Sequence, residues 1–255
     1  RGEWAAAAAR CEAMLAAPWG EEEREAARRI CNRVQRKLGA PAQPRRRDDF
    51  TRIDLTLEQA LTAIDRFATQ DLTGSGRSAY YVENALLNAL FGLAFWEQIF
   101  APVPGAFNHP YQSGPADMYQ TGFRQRREPA LARRLAQLRT ADLGQLLPAA
   151  WDSYRGYQCR WVNWRYLDRE LVAAASAIIP AGQLCAIWER LLFDPGENRR
   201  GFPDLLVLGQ EPGDYQLVEV KGPGDNLQDN QKRWLRFFAE QGIPTAVAWV
   251  TWADD

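Results

Sequence analysis

Two short runs of aliphatic and β-branched residues constrain the fold of this chain more than any other feature. They are Phe202-Pro203-Asp204-Leu205-Leu206-Val207-Leu208 and Tyr215-Gln216-Leu217-Val218-Glu219-Val220-Lys221-Gly222. Between them, Glu211-Pro212-Gly213-Asp214 carries Pro-Gly turn chemistry, so the segment reads as a β-hairpin. With the turn centred on Pro212-Gly213, Asp204 falls opposite Lys221 and Leu206 opposite Glu219. Strand side chains alternate with period two, which puts Glu219 and Lys221 on one face. Asp204 lies on that face too, diagonal to Glu219 at roughly 7–8 Å between backbones. Two inward-leaning carboxylates can close such a gap around one cation.

The residue types fit one chemistry. A phosphodiester repels hydroxide, and its hydrolysis near neutral pH needs a hard cation that neutralises phosphoryl oxygens and lowers the pKa of a bound water. Carboxylate oxygens suit Mg²⁺ or Mn²⁺, and a lysine beside the ion can orient the water or stabilise charge on phosphorus. The competing reading is a solvated strand pair that happens to carry acids and a lysine. Downstream, Gly222-Pro223-Gly224-Asp225 is a tight break, Leu227 to Gly242 reads as a helix with Leu227, Trp234, Leu235 and Phe238 apolar, and Thr245 to Trp252 alternates like a third strand. Gln231 sits one turn after Leu227, near the end of the hairpin.

Three stretches resemble the VRR-Nuc domain of the PD-(D/E)xK nuclease superfamily, in its bacterial Fanconi-associated form: Arg199-Arg200-Gly201-Phe202-Pro203-Asp204, Val218 to Asp225, and Leu227 to Leu235. A second block supports the resemblance, with Glu83-Asn84-Ala85-Leu86-Leu87-Asn88, Phe95 to Phe100, Tyr111-Gln112 and Arg124 to Arg127. It covers roughly residues 75 to 255 and implies an α+β fold, a mostly helical body around a small mixed-sheet, restriction-endonuclease-like core. It also implies metal-binding roles for Glu83, Asp204, Glu219 and the main-chain carbonyl of Val220, a catalytic lysine at Lys221 and a supporting glutamine at Gln231. On residue pattern alone, Glu83 at the start of an apolar helix reads as a favourable interaction with the helix dipole.

The function implied is structure-specific cleavage of branched or flapped double-stranded DNA, as a 5′-flap endonuclease with 5′-to-3′ exonuclease character in interstrand crosslink repair, assisted by Mg²⁺ or Mn²⁺. A basic pocket for the substrate's 5′ phosphate is part of that implication. Two alternatives remain, a dimeric Holliday-junction resolvase and an inactive DNA-binding scaffold. The helical content around the core argues for a monomer.

The chain has 255 residues and a net charge of −1, so nucleic-acid contact must come from local patches. One candidate patch is the stretch holding Arg124, Arg126, Arg127, Arg133 and Arg134; the other flanks the hairpin with Arg199, Arg200, Lys232 and Arg233. The four cysteines show no CxxC spacing and His109 is the only histidine, which disfavours zinc chemistry or a cysteine–histidine nucleophile. Reduced thiols and the lack of a signal peptide or a long apolar run point to a bacterial cytoplasmic, nucleoid-associated protein without membrane partners. Residues 1 to 70 read as a helical scaffold region and 71 to 255 as the nuclease domain with helical insertions, Pro41 to Asp49 forming a Pro- and Arg-rich linker. Helices are expected over Leu55 to Phe67, Glu83 to Phe100, Pro129 to Leu138 and residues 167 to 193, with the aromatic segment Trp151 to Tyr166 packing as a further helix whose tryptophans enter the core. The chain starts at an arginine inside a helical pattern, as a C-terminal portion of a longer nuclease would.

Overall fold

A computed structural model describes residues 3–40, 48–57, 69–70, 72–73, 76–120 and 122–253. The chain forms two compact units, Arg1–Asp48 and Asp49–Asp255. In the first, α1 (Trp4–Ala16) packs on α2 (Glu21–Lys37). Helix α2 opens with Glu21, Glu22 and Glu23 and closes with Arg36 and Lys37, a charge order that complements its macrodipole.

The second unit is built on a five-stranded mixed sheet in the order β1-β5-β4-β3-β2: β1 (Arg52–Leu57), β2 (Ser78–Tyr81), β3 (Leu205–Leu208), β4 (Tyr215–Lys221) and β5 (Thr245–Trp252). The expected hairpin is β3–β4, and β5 runs parallel to β4. Two strands were not foreseen. Arg52–Leu57, whose last three residues open the helix expected from Leu55, instead pairs with β5 in parallel, and its alternating Leu55 and Leu57 are buried while Asp54 and Thr56 stay exposed. The remainder of that expected helix and most of the expected linker lie outside the described residues. β1 belongs to the sheet of the second compact unit, which begins at Asp49.

The sheet has two dry faces. Leu205, Val207, Val218 and Val220 join Leu55, Leu57, Ala248 and Val250 on one side. Leu206, Leu208, Tyr215 and Leu217 alternate with them and enter the main helical core. That core is filled by α3 (Leu86–Ala94), α4 (Trp96–Ile99), α5 (Gly122–Leu138), α6 (Leu143–Tyr154), α7 (Arg169–Ile178), α8 (Ala181–Phe193) and α10 (Asp229–Glu240), with the single turn α9 (Pro195–Asn198) before β3. The expected helix over Trp151 to Tyr166 ends at Tyr154, because Gly156 adopts a positive φ of 90°. Turns follow, yet Trp151 and Trp161 are buried in the core as the aromatic content implied.

One buried ion pair ties the loop before α5 to the helix. Asp117 and Arg127 are both nearly sealed from solvent, and Arg127 Nη1 lies 2.8 Å from Asp117 Oδ2 while its Cζ sits 4.4 Å from the centre of the Phe123 ring. Burial pushes the Asp117 carboxyl up, and hydrogen bonds and charge from Arg127 and Arg126 more than offset this, leaving it below its ordinary value. Removing one member strands the other without its partner. Asp117→Ala is therefore expected to cost about 3–5 kcal/mol in urea unfolding. Because the folded carboxyl is depressed, the wild-type contribution is complete above the unfolded carboxylate pKa of about 3.9 and fades as pH falls through the lower folded value. The acid sensitivity of wild type in that range should be blunted in the variant.

Candidate active site

The hairpin loop closes on a bond from the Gly209 N–H to the Asp214 carbonyl (2.7 Å), with the Asp214 N–H donating to the Glu211 carbonyl (2.9 Å). The turn is therefore centred on Glu211-Pro212 and not on Pro212-Gly213. Leu205 pairs with Val218 and Leu206 with Leu217, a two-residue slip from the expected register. A slip of two preserves the face of every side chain. Extending the pairing by one residue sets Asp204 directly across from Glu219, closer than the expected diagonal. The Val220 N–H donates to Asp204 Oδ2 at 2.8 Å, fixing that carboxylate against β4.

By alternation with Leu217, Glu219 and Lys221 lie on the helix-facing side of the sheet, where α10 packs. Glu219 is 1% exposed and Lys221 8%. Lys221 Nζ sits 2.8 Å from Glu219 Oε1, and Gln231 Nε2 donates to the same oxygen at 2.5 Å. Gln231 has a second task. It is residue N3 of a capping box with Gln228, its Oε1 accepting the Gln228 N–H at 2.9 Å. One amide thus starts α10 and holds the buried carboxylate.

Helix α10 is held at this point by Trp234, whose Nε1 lies 3.1 Å from both the Asn198 and Arg200 carbonyl oxygens and whose ring centroid is 4.3 Å from that of Phe202. Gly201 makes the approach possible. Its φ is +87°, and a Cβ there would come within 2.8 Å of the Asn230 carbonyl carbon.

Glu83 reaches the site through its backbone. It is not the first residue of a helix as expected; α3 starts at Leu86, and Glu83 is the one non-glycine residue with positive φ, 33°, among the described residues. The N–H groups of Val82 and Glu83 donate to the Asp204 carbonyl at 2.8 and 2.9 Å. The Glu83 carboxylate turns to the Tyr81 hydroxyl (2.8 Å) and the Asn84 amide (3.1 Å). Among the described residues no three acidic, histidine or cysteine side chains therefore gather into a chelating group. The carboxylates of Asp204 and Glu219, set across the hairpin from each other, offer oxygen donors of the kind a hard divalent cation takes. Sequence reading missed Tyr81 and Asn84. Tyr81 stands two residues before Glu83, the spacing of one strand face, which is the only signal that could have found it.

The arginines divide into two groups. Arg127 is withdrawn from any nucleic-acid contact by its buried pairing with Asp117; Arg126 joins the same carboxylate at 2.5 Å, and Arg134 Nε donates to the Ala94 carbonyl at 2.7 Å. Arg124 is exposed and engages Glu128 at 2.9 Å. Near the hairpin, Arg200 is exposed, Arg199 lies with its Cζ 4.4 Å from the centre of the Tyr119 ring, and Lys232 sits 3.9 Å from Asp229. Arg233 is mostly buried against Glu197 (3.2 Å), which leaves it a structural role.

The dual role of Gln231 separates two substitutions. Gln231→Ala removes the cap and one bond to Glu219, with an expected cost of about 1–3 kcal/mol in thermal unfolding. Gln231→Glu keeps a cap acceptor but sets a second carboxylate against Glu219, and is expected to melt lower than the alanine variant. The reverse order would remove the bond to Glu219 from the account.

The VRR-NUC domain model matches residues 139–252. The chain is 40% identical over 259 residues to the Fanconi-associated nuclease 1 homolog of Pseudomonas aeruginosa, covering 100% of this chain and 46% of that protein. It is 33% identical to Fanconi-associated nuclease 1 of Danio rerio over 66% of this chain and 18% of that protein. The crystal structure of paFAN1 bound to 2nt 5′ flap DNA with gap superposes with a TM-score of 0.83 at 40% identity, over 99% of this chain and 47% of that one. The chain thus spans about half the length of the bacterial relative. Asp204, Glu219, Lys221 and Gln231 fall within the matched domain, while Glu83 lies upstream and is brought to it by the Asp204 carbonyl. On this sequence similarity and on a shared restriction-endonuclease-like α+β architecture, the chain belongs to the VRR-NUC family, in its Fanconi-associated nuclease branch.

Proposed function

We propose that this chain is the catalytic portion of a structure-specific DNA nuclease that cuts 5′ flaps and branched duplexes, with 5′-to-3′ exonuclease character, in interstrand crosslink repair. The observation that carries this reading is the buried Glu219, held by Lys221 and Gln231 directly across the hairpin from Asp204. Support for the substrate comes from a similar protein solved on flap DNA.

Glu83, Asp204, Glu219 and the Val220 carbonyl would hold a magnesium or manganese ion, which when bound supplies neutralisation of phosphoryl oxygens and a lowered pKa for water. The protein's own groups do the rest. Lys221, fixed by its contact with Glu219, presents an ammonium where it can orient the attacking water and offset charge growing on the phosphoryl oxygens. Gln231 locks Glu219 in one rotamer, so the donor set does not have to be ordered at the moment of reaction. Arg199, Arg200 and Lys232, beside the hairpin, take phosphates of the flanking strand; Arg124 can extend that track from α5 only by releasing Glu128. A monomer carries the whole site, the hairpin and α10 supplying Asp204, Glu219, Val220, Lys221 and Gln231 and the segment before α3 supplying Glu83.

Asp204→Ala should abolish cleavage of an end-labelled 5′-flap duplex in Mn²⁺ while leaving flap binding close to wild type, and chelator should silence the wild type equally. Lys221→Ala should lower kcat by about 10²- to 10³-fold with little change in KM. Metal-dependent cutting retained by Asp204→Ala sinks the assignment, and paired symmetric cuts confined to four-way junctions would replace it with a resolvase.

A further inference from the structure

A cavity of about 700 Å³ opens at Glu83, walled by Tyr81, Asn84, Asn88, Arg160, Trp161 and Tyr166 among others. Its composition is mixed in an informative way. Tyr166 is 77% exposed and Tyr81 51%, so two flat aromatic faces stand in solvent at its rim. Arg160 is its one cation and, among the described residues, makes no ion pair. Its N–H donates to the Ser113 carbonyl (2.8 Å) and its Nε to Ser113 Oγ (3.2 Å), which fix the side chain while leaving the end of the guanidinium uncommitted. Arg160 and Arg199 both lie over the Tyr119 ring, at 5.9 and 4.4 Å, so positive charge runs from the cavity to the segment that leads into Asp204.

We infer that this cavity seats a single unpaired nucleotide of the strand being cut, with its base stacked on Tyr166 and its phosphate on Arg160. The assignment rests on the nuclease reading above and extends it. A cation accepts a phosphate, and an exposed aromatic face accepts the plane of any base. A base within a duplex has both faces already engaged by its neighbours, so only an unpaired nucleotide can stack on the exposed ring while its phosphate meets the cation. Because the cavity shares Glu83 with the acidic site, the nucleotide it holds is adjacent to the phosphate under attack. Selection of flaps over continuous duplex then follows from what must be unpaired to reach the acids.

The test is a binding measurement, so that it stands apart from cleavage. Flap oligonucleotides carrying an abasic nucleotide at successive positions near the junction are titrated, by fluorescence anisotropy, against wild type, Tyr166→Ala and Arg160→Ala with chelator present. Wild type should lose about tenfold in affinity at one abasic position, the size of one lost base–aromatic stack. Tyr166→Ala should bind the intact flap about tenfold more weakly and show no further loss at that position. Arg160→Ala should weaken every flap alike and reduce the slope of log affinity against log salt by about 0.7, the share of one single-strand phosphate. An abasic penalty of full size in Tyr166→Ala, or none at any position in wild type, overturns the inference. Both outcomes can be read on a protein that binds without cutting, which is how failure of the nuclease reading itself would show.

Discussion

The second unit is organised around a carboxylate that has been taken almost wholly out of water. Glu219 is 1% exposed on a strand whose neighbours on the same face enter the helical core. A buried carboxylate is costly unless charged and hydrogen-bonding partners surround it. Lys221 comes from the same strand by simple alternation, but Gln231 must come from elsewhere, so α10 has to begin where it does. The capping box and the carboxylate contact are therefore one constraint satisfied by one side chain.

From that constraint the rest of the site is reached by short backbone links. Trp234 ties α10 to the carbonyls of Asn198 and Arg200, which fixes the chain entering Asp204. The Asp204 carbonyl takes the N–H groups of Val82 and Glu83, and the Asn88 side chain donates to the Arg199 carbonyl at 2.9 Å, which joins α3 to the same segment. Acids distant in sequence are placed by main-chain hydrogen bonds, a rigid way to bring carboxylates together. Glu83 is the looser member, with a strained φ and a carboxylate turned to Tyr81 and Asn84.

Much of this was legible in sequence. Period-two alternation gave the shared face of Glu219 and Lys221, and the apolar spacing of Trp234, Leu235 and Phe238 gave the buried face of α10. The register was missed by two residues because a Pro-Gly pair marks a turn without stating how many residues the loop contains. A helix was expected to start at Leu55 although Arg52–Leu57 alternates, since its partner β5 is almost two hundred residues away and nothing local rewards the pairing. Arg127 resembled its neighbours in an arginine-rich run; only the fold shows that Asp117 lies beneath it. The kink at Glu83 was hidden for a similar reason, since the Asp204 carbonyl that imposes it is a long-range partner.

The most direct test of the central claim is calorimetric titration of Mn²⁺ into wild type, Asp204→Asn and Glu219→Gln, with near-ultraviolet circular dichroism confirming that each is folded. Loss of a direct ligand should weaken Mn²⁺ binding by more than about 100-fold, beyond the 10- to 100-fold cost of losing an outer-shell partner. Unchanged affinity in both folded variants would contradict the account, because the hairpin would then not be where the cation is held.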